Sequence, residues 1–136
     1  MSKKNVLFLC THNAARSQMA EGLLRTSYGQ RYNVQSAGIH PTQVHPLAIQ
    51  VMKEIGIDIS NHRSKSIDAF QGISFAVVVT VCDYAKETCP FFPGKSILHR
   101  GFFDPTSYQE FQQVRDEIKQ WIVENFHVKN GKSTRN

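Results

Sequence analysis

Eight consecutive residues, Phe75 to Cys82, constrain the fold of this 136-residue chain more than any other stretch. The run is Phe-Ala-Val-Val-Val-Thr-Val-Cys, apolar apart from Thr80 and without polar alternation. Short continuous apolar runs are typical of strands covered on both faces, as in parallel sheets. The run is also far shorter than the ~18 residues that a membrane span requires. It therefore predicts a central buried strand.

Hydrophobic periodicity and turn residues predict the other elements. The predicted strands are Asn5 to Cys10, Tyr32 to Ala37, Phe75 to Cys82 and Ser96 to His99. The predicted helices are Ser17 to Tyr28, Pro46 to Ile55 and a last one behind the capping box Ser107-x-x-Glu110, with short helical turns at Ser66 to Phe70 and Asp83 to Thr88. This order predicts an α/β fold: a single-domain, four-stranded, parallel open sheet flanked by helices on both faces. We expect residues 1–136 to form one catalytic domain with a frayed tail from about Lys129.

The stretch from Cys10 to Ser17 joins the first predicted strand to the first predicted helix. A loop of this length can turn its N–H groups inward to form an anion nest, and the helix adds the positive end of its dipole. The guanidinium of Arg16 can bind two oxygens of an oxyanion, and the same field favours the thiolate of Cys10. The predicted oxyanion-binding residues are Thr11, His12, Asn13, Ala14, Ala15, Arg16 and Ser17. The alternative is a buried structural cysteine that ends a strand.

Three chemically active residues follow predicted strand ends. Cys10 ends the first strand, Cys82 ends the third and Asp104 follows the fourth. In open parallel sheets ligands bind beyond the carboxyl ends of the strands, so we expect these residues at one edge of the sheet. There Asp104 would protonate an oxygen that leaves a bound oxyanion. Alternatively, it is an ordinary turn residue before Pro105.

Cys82 and Cys89 are seven positions apart, a spacing that fits no common zinc site. Seven helical residues rise about 10.5 Å, whereas a disulfide needs Cα atoms within about 7 Å. A bond between these two cysteines therefore requires the intervening segment to unwind. One interpretation is a thiol relay from Cys10 to Cys82 to Cys89, and the other is two unrelated apolar side chains. The odd count of three cysteines argues for reduced thiols.

The net charge of +5 comes from scattered lysines and arginines, several of them near the chain ends. This distribution favours a small anionic ligand over a nucleic-acid surface. The N-terminal apolar run is too short for a signal sequence, so we expect a cytoplasmic protein without a membrane segment. His40, His45, His62, His99 and His127 show no ligand spacing and are interpreted as surface or turn residues, and no metal site is predicted.

The motif Cys-x5-Arg-Ser after a first strand, with Asp104-Pro105 before the last helix, resembles the low-molecular-weight protein tyrosine phosphatase superfamily. Three further stretches resemble its thioredoxin-coupled arsenate reductases. These stretches are Arg16 to Gly22 (Arg-Ser-Gln-Met-Ala-Glu-Gly), Cys82 to Pro90, and Gln113 to Ile118 (Gln-Val-Arg-Asp-Glu-Ile). The resemblance extends from Val6 to about Phe126.

The resemblance implies a mechanism in which Cys10 attacks arsenate held by the loop and Arg16, while Asp104 protonates the departing oxygen. Cys82 then attacks the adduct on Cys10 and releases arsenite. Cys89 next attacks Cys82, and thioredoxin reduces the resulting disulfide. The thiols supply the electrons, so the resemblance implies arsenate and thioredoxin as partners and no bound cofactor.

Two alternatives stay open within this resemblance. A phosphatase would need Cys10, Arg16 and Asp104 only, but such phosphatases commonly place tyrosines directly after Asp-Pro, where this chain has Thr106-Ser107. The second alternative is a non-enzymatic sensor of oxyanions or of redox state.

Some relatives also bind potassium near the loop through Asn, Glu and an acidic side chain from the segment after the second helix. This chain has Asn13, Glu21 and Ser36. However, that segment carries Arg63 and Lys65, so a lysine ammonium would take the place of the ion.

Overall fold

The computed structural model describes residues 3–83 and 86–126. Its strands are β1 (Lys4–Cys10), β2 (Tyr32–Gly38), β3 (Val77–Thr80) and β4 (Ser96–His99). Its α-helices are α1 (Arg16–Tyr28), α2 (Pro46–Lys53) and α3 (Tyr108–Phe126), and Ile67–Phe70 forms one turn of 3-10 helix. Among the described helices, none has the length and apolar character needed to cross a bilayer.

The four strands form one parallel sheet in the order β2-β1-β3-β4. Both β1 and β3 are therefore central, and for β3 this confirms the prediction from the apolar run. The predicted α/β fold with a four-stranded parallel sheet is confirmed. Because parallel strands end on the same side, Cys10 at the end of β1 lies beside the residues that follow Thr80 in β3, and Val81 donates a backbone hydrogen bond of 2.9 Å to Leu9.

The two faces of the sheet are covered by different kinds of structure. Alternate residues of β1 (Val6, Phe8) belong to the core that contains the buried sides of α1, α2 and α3. Leu7 and Leu9 point to the other face, where a smaller core includes Phe70 of the 3-10 helix and Phe92. The prediction of helices on both faces thus holds for the second face only through this 3-10 turn and the irregular segment around Phe92.

Some predicted boundaries were wrong by a few residues. Strand β3 is four residues long rather than eight, because its hydrogen-bonded partner β1 gives way to a loop after Cys10. Helix α2 ends at Lys53, since the chain then makes hydrogen bonds three residues apart before Gly56, whose φ of 81° ends the helix. The predicted turn at 83–88 lies partly outside the described residues, although the N–H groups of Lys86 and Glu87 both donate to the carbonyl of Asp83.

The predicted capping box at the start of α3 is half correct. Ser107 Oγ accepts a hydrogen bond from the N–H of Glu110 at 3.1 Å, as the motif requires. The carboxylate of Glu110, however, accepts from the N–H of Thr106 at 2.8 Å, one residue earlier than expected. The contact closes the turn that follows Pro105 and so positions the chain behind Asp104. The predicted frayed tail lies outside the described residues.

Candidate active site

The loop between β1 and α1 is fixed from its outer side. The carbonyl oxygens of Thr11, His12 and Ala14 accept hydrogen bonds of 2.9 to 3.3 Å from N–H groups of residues 40–45. A trans peptide points its C=O and the next N–H in opposite directions. The N–H groups that follow these carbonyls therefore face the inside of the loop, where they form the predicted anion nest.

Helix α1 begins with unpaired donors. Its N-cap residue is Ala15, which has no side-chain oxygen, and no described side chain caps the first turn. The first intrahelical hydrogen bond runs from Met19 N–H to the Ala15 carbonyl at 2.9 Å, so the N–H groups of residues 16–18 are left for another acceptor. A helix start of this kind favours a bound anion.

Asn13 holds the centre of the loop. Its φ of 52° is left-handed, a conformation that asparagine adopts more readily than most residues. The buried amide donates to Ser17 Oγ at 2.8 Å and to Ser36 Oγ at 2.9 Å. It accepts from Gln18 Nε2 at 2.9 Å and from the Lys65 N–H at 2.8 Å. Through these four contacts the side chain of Asn13 braces the loop.

Cys10 lies at the base of the loop with 2 % of its surface exposed, and its sulfur is not part of a disulfide. Ser17 Oγ is 2.8 Å from its Sγ. Ser17 Oγ also accepts a hydrogen bond from Asn13, and when Cys10 is a thiolate, which can only accept, the hydroxyl hydrogen of Ser17 is available to the sulfur. A hydroxyl that donates to sulfur stabilises the thiolate, the nucleophilic form.

Close packing of the second strand against this loop requires a glycine. A Cβ atom on Gly38 would lie 2.7 Å from the Thr11 carbonyl oxygen and 2.9 Å from the Asn13 nitrogen. Both neighbours are backbone atoms that cannot move without changing the loop. Gly38 therefore permits the approach of β2 that brings Ser36 to Asn13.

The guanidinium of Arg16 is buried beside the loop, with 3 % of the side chain exposed. Nη1 donates to the Phe102 carbonyl at 3.2 Å, and Nη2 is 3.7 Å from Oδ1 of Asp104. Burial alone would lower the pKa of Arg16, but hydrogen bonding to Glu87 and the negative charges of Cys10 and Asp104 raise it overall. Its Nε is buried and bonds to none of the described residues, which leaves one donor for a ligand.

A cavity of about 270 Å³ opens over the loop and contains Cys10, Arg16 and Asp104 in its lining. The prediction that the ends of β1 and β4 meet at one edge is thus confirmed for Cys10 and Asp104. The side chain of Asp104 is 61 % exposed. The rings of His45 and Phe111, with centroids 4.7 Å apart, form part of the cavity wall.

The histidines differ in how well the sequence predicted them. His12 is exposed at the mouth of the cavity rather than aimed at the sulfur. His45 is exposed, as predicted, and it also caps α2 by accepting from the Leu47 N–H through Nδ1 at 3.0 Å. In its neutral form the ring proton of His45 therefore lies on Nε2.

Cys82 and Cys89 are joined by a disulfide with Cα atoms 5.8 Å apart. That distance is about half the 10.5 Å rise of a continuous helix, so the segment is unwound as the spacing predicted. Cys82 is fully buried and Cys89 partly exposed. Of the three predicted reduced thiols, only Cys10 is free, and the structure represents the disulfide form.

The sequence did not point to Glu87, which lies directly on Arg16. Its two carboxylate oxygens bind the two terminal guanidinium nitrogens, and Thr11 Oγ1 donates to Oε1 at 2.6 Å. Partial burial would raise the pKa of Glu87, but the hydrogen bonds from Arg16, Thr11 and the Asp83 N–H lower it to about 2. A glutamate two residues before a cysteine carries no recognisable motif, so sequence had no signal for this contact.

A second buried carboxylate, Glu21, supports the loop from behind. Ser36 Oγ donates to Glu21 Oε1 at 2.5 Å and so connects Glu21 to Asn13. Glu21 is neutralised by Arg25 at 2.7 Å and by Lys65 Nζ at 3.6 Å. That this ammonium takes the place of a cation bound by some relatives stays a prediction. Burial lowers the pKa of Lys65, although Glu21 opposes this effect.

His62 closes a turn, as predicted, because its N–H donates to the Ile59 carbonyl at 3.0 Å, but its side chain belongs to the same cluster and is only 12 % exposed. Nδ1 lies 2.9 Å from Gln18 Oε1, an acceptor, and must therefore carry a proton. Nε2 lies 3.2 Å from an Arg25 nitrogen and acts as the acceptor there. Burial lowers the pKa of His62, so the neutral tautomer fits both contacts.

Comparison with known proteins agrees with this geometry. Residues 5–133 match the model of the low molecular weight phosphotyrosine protein phosphatase family. Arsenate reductase 2 of Staphylococcus saprophyticus is 50 % identical over 90 % of this chain and 95 % of its own length.

Solved structures give the same result. A structure described as an arsenate reductase in the phosphate binding state is 35 % identical, with a TM-score of 0.80 over 90 % of this chain and 95 % of that chain. A thioredoxin-dependent arsenate reductase from Corynebacterium glutamicum is 30 % identical, with a TM-score of 0.66 over 90 % of this chain and 61 % of that one. The chain therefore belongs to the arsenate reductases of the low molecular weight phosphotyrosine protein phosphatase family.

Proposed function

We propose that the protein reduces arsenate to arsenite through the cysteines Cys10, Cys82 and Cys89 and is regenerated by thioredoxin. The observation that carries this proposal is the disulfide between Cys82 and Cys89 next to the loop that holds the free thiol of Cys10. Phosphate ester hydrolysis needs no second or third cysteine. A disulfide beside an oxyanion loop is the expected product of a two-electron reduction.

In the first step, arsenate binds to the inward N–H groups of the loop and to the guanidinium of Arg16. The thiolate of Cys10, stabilised by Ser17, forms a sulfur–arsenic bond. One oxygen leaves arsenic as water, with a proton supplied by Asp104, which shares the cavity. Arsenic remains in the +5 state in this adduct.

In the second step, Cys82 thiolate attacks the sulfur of Cys10. The sulfur–arsenic bond breaks with its electron pair on arsenic, which leaves as arsenite, and a Cys10–Cys82 disulfide forms. Cys89 thiolate then attacks Cys82 and frees the Cys10 thiolate. The resulting Cys82–Cys89 bond is the one present in the structure.

In the last step, the dithiol of thioredoxin supplies two electrons, so the cycle needs no bound cofactor. Because Cys82 is fully buried and Cys89 is partly exposed, the attacking thiolate reaches Cys89 more readily. The named Corynebacterium relative supports thioredoxin as the reductant. A reducing cytoplasm, where cysteines are kept as thiols, is the compartment this cycle requires.

A coupled assay with thioredoxin, thioredoxin reductase and NADPH tests the proposal. We expect arsenate-dependent NADPH consumption that is lost in Cys10→Ser, Cys82→Ser and Cys89→Ser. Hydrolysis of a phosphotyrosine analogue serves as the control for an intact loop and should survive in the latter two variants only. Full arsenate turnover by Cys82→Ser and Cys89→Ser would contradict the relay. Hydrolysis without arsenate turnover would favour a phosphatase.

A further inference from the structure

The carboxylate of Glu87 has the contacts of a bound oxyanion. Each of its oxygens accepts from one terminal nitrogen of Arg16, with 3.0 Å between Nη2 and Oε1. Oε1 also accepts from Thr11 Oγ1 at 2.6 Å, and Oε2 accepts from the Asp83 N–H at 2.8 Å. Two of these partners, Thr11 and Arg16, belong to the loop that is predicted to bind substrate.

Paired, charge-assisted hydrogen bonds to a planar guanidinium are among the strongest that a carboxylate makes. An incoming oxyanion that makes paired contacts with Arg16 would need Nη2, together with either Nη1 or the free Nε, and Glu87 occupies both terminal nitrogens. The guanidinium cannot move aside, because it is 3 % exposed and also donates to the Phe102 carbonyl. Glu87 and an oxyanion therefore compete for Arg16.

The position of Glu87 is tied to the disulfide. Glu87 lies two residues before Cys89, and the bond to Cys82 brings the Cα atoms of the two cysteines to 5.8 Å. A helical segment without this bond would separate them by about 10.5 Å. Closing the disulfide thus shortens the segment that carries Glu87. A tethered group of this kind competes at an effective concentration of order millimolar.

We infer that Glu87 is an internal ligand that takes the place of the oxyanion on Arg16 once the Cys82–Cys89 disulfide has formed. The inference rests on the proposed function, since it takes Arg16 as the group that binds arsenate. The role of Glu87 would be to prevent an unproductive reaction. Arsenate that reacted with Cys10 in this state would form an adduct that cannot be resolved, because Cys82 has no thiolate. Glu87 keeps arsenate out until the disulfide is reduced.

Phosphate is the probe for the test, because it occupies an oxyanion site without oxidising a thiol. Calorimetry would measure its dissociation constant for the wild type and Glu87→Gln, each in the disulfide and the dithiol form. We expect the wild-type disulfide form to bind phosphate at least tenfold more weakly than the dithiol form. In Glu87→Gln the disulfide form should bind phosphate at least tenfold more tightly than the wild-type disulfide form does. The phosphate affinity of the dithiol form should change less than twofold.

Glu110→Gln is the matched control. Glu110 lines the same cavity of about 370 Å³ as Glu87, so its replacement removes one negative charge nearby without removing a contact to Arg16. Equal gains in phosphate affinity for Glu87→Gln and Glu110→Gln would overturn the inference in favour of a general charge effect. Equal affinity of the two wild-type forms would also overturn it while leaving the proposed function intact. Failure of the dithiol form to bind phosphate would overturn both.

Discussion

The loop from Cys10 to Ser17 and the segment from Cys82 to Cys89 lie side by side at one edge of the sheet, but different contacts hold them. The loop is fixed by backbone hydrogen bonds from residues 40–45 and by the four contacts of Asn13. The second segment is closed by a disulfide and by the contacts of Glu87 to Arg16. The loop is held by hydrogen bonds of the folded protein, whereas the second segment is held by a disulfide that the proposed reaction forms and breaks.

The difference follows from what each segment has to do in the proposed cycle. Binding an oxyanion requires donors that are already oriented, because reorganising them would cost binding energy. Passing a disulfide from one cysteine to the next requires the distance between two sulfurs to change.

Arg16→Lys should give the largest effect on this comparison. A lysine keeps the charge but loses the paired geometry, and each lost charge-assisted hydrogen bond is worth about 1.5–3 kcal/mol. We expect kcat/KM for arsenate to fall by about 100-fold or more in the thioredoxin-coupled assay. Arg25→Lys, a change at an arginine away from the cavity, is the control. A loss below about tenfold would show that the N–H groups of the loop, rather than Arg16, carry most of the binding.

Asn13→Ala tests whether the loop is prebuilt. The substitution leaves buried partners unsatisfied and puts alanine at a φ of 52°, so we expect the free energy of unfolding in urea to fall by about 3 kcal/mol. Asn13→Gly removes the same hydrogen bonds but accepts the backbone angle, and it should lose about 1 kcal/mol less. A loss below about 1 kcal/mol in both variants would mean that residues 40–45 alone hold the loop.

Lys65→Met tests the charge behind the loop. Glu21 would lose one of its cations but keep Arg25, so we expect a loss of about 1 kcal/mol in the free energy of unfolding. Lys119→Met, at an exposed position of α3, is the matched control and should change stability by less than 0.5 kcal/mol. Recovery of the loss with potassium chloride, but not with tetramethylammonium chloride, would support an ammonium in the place of a cation. If Lys65→Met had the same free energy of unfolding as the wild type, this role of Lys65 would be contradicted.

The pH dependence of the disulfide form tests the ion pair between Glu87 and Arg16. The pKa of Glu87 is lowered to about 2, against an ordinary value of 4.5, so its carboxylate stabilises the folded protein above pH 4.5. That stabilisation is lost as the pH falls from about 4.5 toward 2, where Glu87 becomes protonated. Unfolding in urea should therefore separate wild type from Glu87→Gln at pH 6 and bring them together near pH 2. A constant difference across this range would contradict the ion pair with Arg16.

Local sequence was a good guide wherever one kind of interaction decides the structure. The apolar run from Phe75 to Cys82 predicted a central strand, and the alternation of strands and helices predicted the parallel sheet. Cys10 and Arg16 were predicted because a strand, a loop and a helix start come in direct succession there. The unwinding between Cys82 and Cys89 followed from helix geometry alone.

Prediction from sequence failed where a side chain contacts residues that are distant along the chain. Nothing near His62 indicates that it packs against Gln18, which is 44 positions away. Glu87 contacts Arg16 across 71 positions and Thr11 across 76. Helix boundaries were also missed by a few residues, since local hydrogen bonding and a single glycine decide where a helix stops.

By itself, the sequence determined the order of strands and helices, the anion-binding loop and the spacing that makes the two later cysteines depend on unwinding. These features depend on residues close together in the chain. Only the tertiary structure decided that Asn13, Ser36 and Glu21 form one buried network behind Cys10, and that Glu87 lies on Arg16. The physical reason is that a buried charge must find its partner among whatever residues the fold brings near, and sequence distance carries no information about that choice.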